Sequence, residues 1–157
     1  METTMNKPQP KALICDKTKQ VLVDIIIYLY VALFFYTATS KLMDYDKSEL
    51  QMSKSPIITD YSHILVWLVP VTEIIIGLLL VIPKTVLNGL YAALMLMVLF
   101  TVYIYSILNF SSYVPCSCGG VLQNMSWQQH FIFNVVFIVF AIVGIYLKLH
   151  IRKTTRV

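Results

Sequence analysis

Four apolar runs dominate the chain: Ile25–Ser40, Ile64–Ile82, Val86–Leu108 and Phe131–Leu149. Each approaches the ~20 residues with which an α-helix crosses a hydrocarbon core of roughly 30 Å. Three carry no Lys, Arg, Asp or Glu until their ends, and the second carries one, Glu73. With 58% of its 157 residues hydrophobic and 13% charged, a soluble domain of this size could not hide so much apolar surface. The expected fold is therefore all-α: an integral membrane four-helix transmembrane bundle. Its spans fall at about 21–40, 63–82, 86–108 and 127–149, between tails 1–20 and 150–157. A cleaved secretory signal in the first run, ending near Thr37-Ala38-Thr39, is the competing reading. The length of that run and the three spans after it argue against cleavage.

Basic residues set the expected orientation. Lys7, Lys11, Lys17 and Lys19 precede the first span, Lys84 lies between the second and third, and Lys148, Arg152, Lys153 and Arg156 close the chain. Lys41, Lys47 and Lys54 fall on the opposite side, mixed with Asp44, Asp46, Glu49 and Asp60. Both termini are therefore expected to be cytoplasmic. The net charge of +4 follows from this topology and gives no reason to invoke nucleic acid.

This orientation puts the segment Val114-Pro115-Cys116-Ser117-Cys118-Gly119-Gly120 on the outer, oxidising face, while Cys15 falls in the reducing cytoplasmic tail. A disulfide across one intervening residue closes a small ring, and the glycines after it leave the backbone free to bend. Such a strained bond is easier to reduce than a structural one, which suits a bond that is passed on. A permanent staple over so short a loop removes little chain entropy. Two other readings stay open: Cys116, Cys118 and His130 holding Cu(I) or Zn, or an inert pair.

His130 and Asn134 lie four residues apart on the fourth span and so share a face. A histidine within a dozen residues of two thiols can accept or return a proton during exchange, and a packing role is the alternative. Ser126-Trp127-Gln128-Gln129 fits a capping box that starts this helix. Glu73 sits mid-span, where a carboxylate needs a partner and faces the bundle interior. Tyr36, Thr101, Tyr103, Tyr105 and a snorkelling Lys41 are the candidate partners. Glu73 is expected to be neutral unless Lys41 reaches it. Gly77, one turn on, permits close helix approach. Pro70 is expected to bend the second span, and Pro83-Lys84-Thr85 to turn a tight antiparallel hairpin.

Three patches carry a resemblance: "TSKLMD" at the end of the first span, "PVTEIIIGLLLVIP" in the second, and "VPCSCGGVLQNMSWQQHFIFN" from the third to the fourth. Together they make the chain, from Val21 to about Leu149, similar to the MauE/DoxX family of redox-associated four-helix membrane proteins. The resemblance implies a DoxX-like bundle in the bacterial inner (cytoplasmic) membrane. It further implies a periplasm-facing redox pair, Cys116 and Cys118, with Glu73 and Lys41 as polar positions inside the bundle. MauE is associated with maturation of the disulfide-rich subunit of methylamine dehydrogenase beside a thioredoxin-like partner, and DoxX relatives with thiosulfate or quinone oxidation.

The expected function is thus a thiol–disulfide redox protein supporting disulfide formation or electron transfer in exported proteins. Cys116 and Cys118 would carry the exchange, His130 would handle protons, and Glu73, Lys41 and Asn134 would be the intramembrane polar residues. The partners are the lipid bilayer and a periplasmic thioredoxin-like protein or exported substrate, with a membrane quinone as the candidate acceptor. The alternatives are a non-catalytic membrane anchor or assembly subunit of an exported complex, and a Cys/His metal-handling protein.

Overall fold

The computed structural model describes residues 10–46, 49, 62–110 and 126–155, the first seven and residues 62, 110 and 155 by backbone alone. Four long helices account for nearly all of them: α1 (Pro10–Met43), α2 (Ser62–Val81), α3 (Val86–Phe110) and α4 (Trp127–Thr155). Each contains a stretch long and apolar enough to cross a membrane: Lys17–Met43, His63–Val81, Val86–Asn109 and Trp127–Thr154. The chain is a multi-pass, four-helix membrane bundle. Two helices outrun their apolar runs. α1 begins at Pro10, where proline suits a first helical turn whose amide has no intrahelical acceptor. α4 continues through His150 and Arg152 to Thr155.

The helices form a closed ring in which α1 packs on α2 and α4, and α3 on α2 and α4. Neighbours run antiparallel. Phe35 of α1 lies against Gly77 of α2, and Lys41, further along α1, meets Glu73, further back along α2. Likewise Ile26 lies against Gly144 and Tyr30 against Phe137. Lys19 Nζ and His150 Nδ1 are 3.4 Å apart, so the start of α1 and the end of α4 share one end of the bundle. That end, which also holds the α2–α3 turn, is termed the tail end. The opposite end, where α1 finishes and α4 begins, is the loop end.

Large apolar side chains lie both inside and outside, as a lipid-embedded bundle requires. Val23, Tyr30, Phe34, Leu80, Leu90 and Ala141 fill the core, while Tyr28, Met95, Ile132 and Tyr146 face outward. The seam between α1 and α4 is aromatic. Tyr30 stands edge-on to Phe137 at 5.2 Å and donates its hydroxyl to the Phe137 carbonyl, so its one polar atom is satisfied in the core.

The α2–α3 hairpin is as tight as its sequence demands. Thr85 joins its two helices: its hydroxyl donates to the carbonyls of Leu79 and Ile82, and its own carbonyl accepts from the Gly89 amide at 2.8 Å. One residue thereby closes orphan groups at the end of α2 and the start of α3. Pro70 is fully buried, and α2 runs through it without interruption.

Two glycines let the helices approach, on different terms. The atoms nearest a Cβ on Gly77 all belong to the Phe35 ring, the first at 2.9 Å, and that ring is part-exposed and can swing away. A Cβ on Gly89 would meet the Leu79 backbone at 3.1 Å as well as Leu80 at 3.0 Å. Gly89→Leu is therefore expected to cost about 1–3 kcal/mol through overpacking, and Gly77→Ala under about 1 kcal/mol. Thermal unfolding of the purified protein in detergent checks the ranking, and the reverse order would contradict this packing.

Candidate functional site

The site is built around Lys41, in the last turn of α1. Its stem runs along the bundle interior, leaving the side chain only 13% exposed, and its ammonium donates to Glu73 Oε1 of α2 at 2.5 Å. The Phe100 ring of α3 lies with its centroid 5.5 Å from the same nitrogen, within cation–π range. His130, half-buried, lies in the first turn of α4 at the same end of the bundle. Side chains of α1, α2 and α3 thus meet at one cation at the loop end, where α4 also begins.

The local sequence explains why this cation can stay there. A buried ion pair holds only if further hydrogen bonds and contacts compensate desolvation. Thr37, one turn before Lys41, faces the same carboxylate. Its single hydroxyl proton is engaged by the carbonyls of Leu33 at 2.9 Å and Phe34 at 3.2 Å, so it contributes polarity more than a direct bond. Of the partners proposed from sequence, the structure brings Lys41 to Glu73. Tyr36 and Tyr105 are about half exposed on the outer surface, and Thr101 donates to its own helix at the Met97 carbonyl. Glu73 is paired, so the condition for an ionised carboxylate at this depth is met.

Two polar atoms remain open. Glu73 and Asn134 are 1% and 2% exposed, yet Glu73 Oε2 and Asn134 Nδ2 have no hydrogen-bond partner among the described residues. In a hydrocarbon core an unsatisfied group of this kind costs several kcal/mol. Asn134 and His130 share a face of α4 as expected, with Asn134 the deeper of the two.

The start of α4, which orients His130, is set by the capping box. The Gln129 amide donates to Ser126 Oγ at 3.2 Å, and the Ser126 amide donates to Gln129 Oε1 at 2.9 Å. The His130 amide completes the turn on the Ser126 carbonyl at 2.9 Å. Ser126→Ala should cost about 1 kcal/mol and fray this turn. Hydrogen exchange should then accelerate at Gln129 and His130 and stay unchanged beyond Phe137; unaltered protection at Gln129 would argue against the cap.

Cys116 and Cys118 lie outside the described residues, as do residues 50–61 of the first connecting segment. Among the described residues no group of three His, Cys, Asp or Glu could hold a metal. Sequence reasoning missed Phe100 and Thr37. Thr37 was within reach, because a residue four before Lys41 on a helix shares its face. Phe100 carried no signal, being one of eight phenylalanines in an apolar chain.

No curated protein and no solved structure matches the chain. The family described as Methylamine utilisation protein MauE does, over residues 19–147, a span that takes in α2, α3, most of α1 and α4, and the segment between α3 and α4. A match that covers most of the chain shows membership: the chain belongs to the MauE family.

Proposed function

We propose that this protein is a thiol–disulfide redox component of the bacterial inner membrane, serving exported proteins, with Cys116 and Cys118 as the exchanging pair. Its termini are cytoplasmic and its α3–α4 segment faces the periplasm, an orientation supported by the basic residues grouped at the tail end. The observation that carries the reading is the meeting of Lys41, Glu73 and Phe100 at the end of the bundle where His130 opens α4 and from which the cysteine segment leaves. A buried charge and a titratable imidazole at that end suit a site where protons move with thiol chemistry.

The exchange balances as follows. A thiolate of the partner attacks one sulfur of the Cys116–Cys118 disulfide, forming a mixed disulfide and releasing the other cysteine as thiolate. The partner's second thiol, losing its proton to His130, then displaces the first cysteine. The partner leaves as a disulfide and the pair as a dithiol. A membrane quinone is the proposed acceptor that restores the disulfide, taking two electrons and two protons to become a quinol. The partner is a periplasmic thioredoxin-like protein or the exported protein itself. The family description points to methylamine utilisation as the process served.

A cysteine that has lost its neighbour cannot resolve a mixed disulfide. In cells carrying Cys116→Ser or Cys118→Ser, one of the two variants should accumulate a covalent adduct, visible on a non-reducing gel and abolished by reductant. If neither variant traps a protein and the double variant supports growth on methylamine, the exchange reading is wrong.

A further inference from the structure

At the tail end a lysine and a histidine from different helices meet at the surface. Lys19 Nζ of α1 and His150 Nδ1 of α4 are 3.4 Å apart across the α1–α4 seam. Lys19 is half-exposed and His150 exposed, so both can offer N–H donors to whatever lies against the seam. Lys153, exposed and three residues past His150, lies on the same side of α4. Asp24 of α1 is five residues past Lys19, on a different face, and accepts from Gln20 at 2.8 Å.

Helix length fixes the depth of this corner. Trp127 opens α4 at the loop end, and an indole there is favoured in the headgroup layer. About 20 residues carry a helix across the hydrocarbon core, which brings α4 to the opposite surface near Leu147. His150 lies three residues further, on the order of 5 Å past the hydrocarbon, and its contact holds Lys19 at the same level. Headgroups occupy that depth, since they add roughly 5–8 Å to each side of the core. Deeper along the seam the outer edge is apolar and exposed. Val139, Val143 and Tyr146 continue the His150 stripe of α4, and Leu22 and Leu29 continue from Lys19 along α1. The Tyr146 ring lies 6.4 Å from the imidazole, where the polar corner passes into this edge.

We infer that this corner binds an anionic phospholipid. The phosphodiester accepts from Lys19 and His150, Lys153 adds a second cation at the same edge, and the acyl chains lie along the exposed apolar edge of the α1–α4 seam. Charge and depth select this occupant together. A soluble anion needs only the donors, whereas the apolar edge directly beneath them suits a ligand that carries its own hydrocarbon. A zwitterionic phospholipid brings its own cation beside the phosphate, which a basic corner repels. Lys84 supplies an internal comparison: it is exposed at the same end, on the α2–α3 turn, which stands across the ring from the α1–α4 seam. Neither the cysteines nor the Lys41–Glu73 pair takes part, so loss of this site leaves the exchange reading untouched.

Native mass spectrometry of the full-length protein in neutral detergent, titrated with dioleoyl phosphatidylglycerol or dioleoyl phosphatidylcholine, measures the site. Phosphatidylglycerol should bind at least about tenfold more tightly. Lys19→Gln should weaken it about fivefold, the contribution of one surface cation, and Lys19→Arg should retain most of the affinity. Lys19→Gln/His150→Gln/Lys153→Gln should bring phosphatidylglycerol down to the level of phosphatidylcholine, while Lys84→Gln should change its affinity less than about twofold. The substituted side chains all reach the surface, and an unchanged Tm shows that each variant keeps the bundle. Equal affinity for the two lipids overturns the site. So does an equal loss from Lys84→Gln and Lys19→Gln, because the cations then act only through the general field of this end. Displacement of the bound lipid by a hundredfold excess of glycerophosphoglycerol, the same headgroup without chains, would overturn it too, since the apolar edge then contributes nothing.

Discussion

Glu73→Ala is expected to destabilise the protein by about 3–5 kcal/mol, the largest effect of any single substitution in the bundle. The change removes the carboxylate from beside the Lys41 ammonium, whose side chain is 13% exposed and lies near the Phe100 ring. Lys41→Met should cost comparably, because the carboxylate it abandons is almost completely buried. The double variant Lys41→Met/Glu73→Leu should recover most of that loss, since two apolar side chains of similar volume have no desolvation to offset. Unfolding in a fixed detergent, read as a double-mutant cycle, measures this. Additive losses would mean that the pair is not the unit that stabilises the loop end.

The second large effect concerns activity. Cys116→Ser and Cys118→Ser are each expected to abolish transfer of the disulfide to an exported substrate, because exchange needs both sulfurs, one to be attacked and one to leave. Neither should move Tm by more than about 6 °C, since a bridge over one residue constrains little chain and its loss is worth at most about 1.6 kcal/mol. His130→Gln keeps the size and a hydrogen-bonding end but cannot take a proton. It should slow exchange about 10²-fold while leaving trapping of the partner intact. The redox state of the substrate, read by thiol alkylation in cells, follows all three variants. A cysteine variant with normal substrate oxidation would remove the exchange reading and leave an anchoring role for the bundle.

The spans were legible because a bilayer imposes length and apolarity together, and nothing else in a chain of this size reads that way. The ion pair was legible for a related reason. Glu73 is the one carboxylate within the four apolar runs, and Lys41 is the first cation after the run that ends beside it. What could not be read was which face of each helix looks inward. Tyr28 is 73% exposed and Tyr30 is fully buried, although they are the same residue type two positions apart in one apolar run. In water the apolar face is the inner one, but in lipid that contrast disappears and periodicity carries little information. The ring of contacts around Lys41, and the open atoms of Glu73 and Asn134, had to come from the structure for that reason. The start of α1 escaped for another: its first turns are polar, and helix can continue past the membrane boundary with no hydrophobic signal to mark it.

The exchange reading rests on the side of the membrane that the cysteine pair occupies. The direct test uses intact cells in the Cys15→Ser background, treated with a reductant and then with a maleimide that cannot cross the inner membrane. Orientation by the basic residues predicts that Cys116 and Cys118 are labelled without permeabilisation, and that omitting the reductant lowers the labelling. Labelling that appears only after the inner membrane is opened would place the thiols in the cytoplasm and contradict the account.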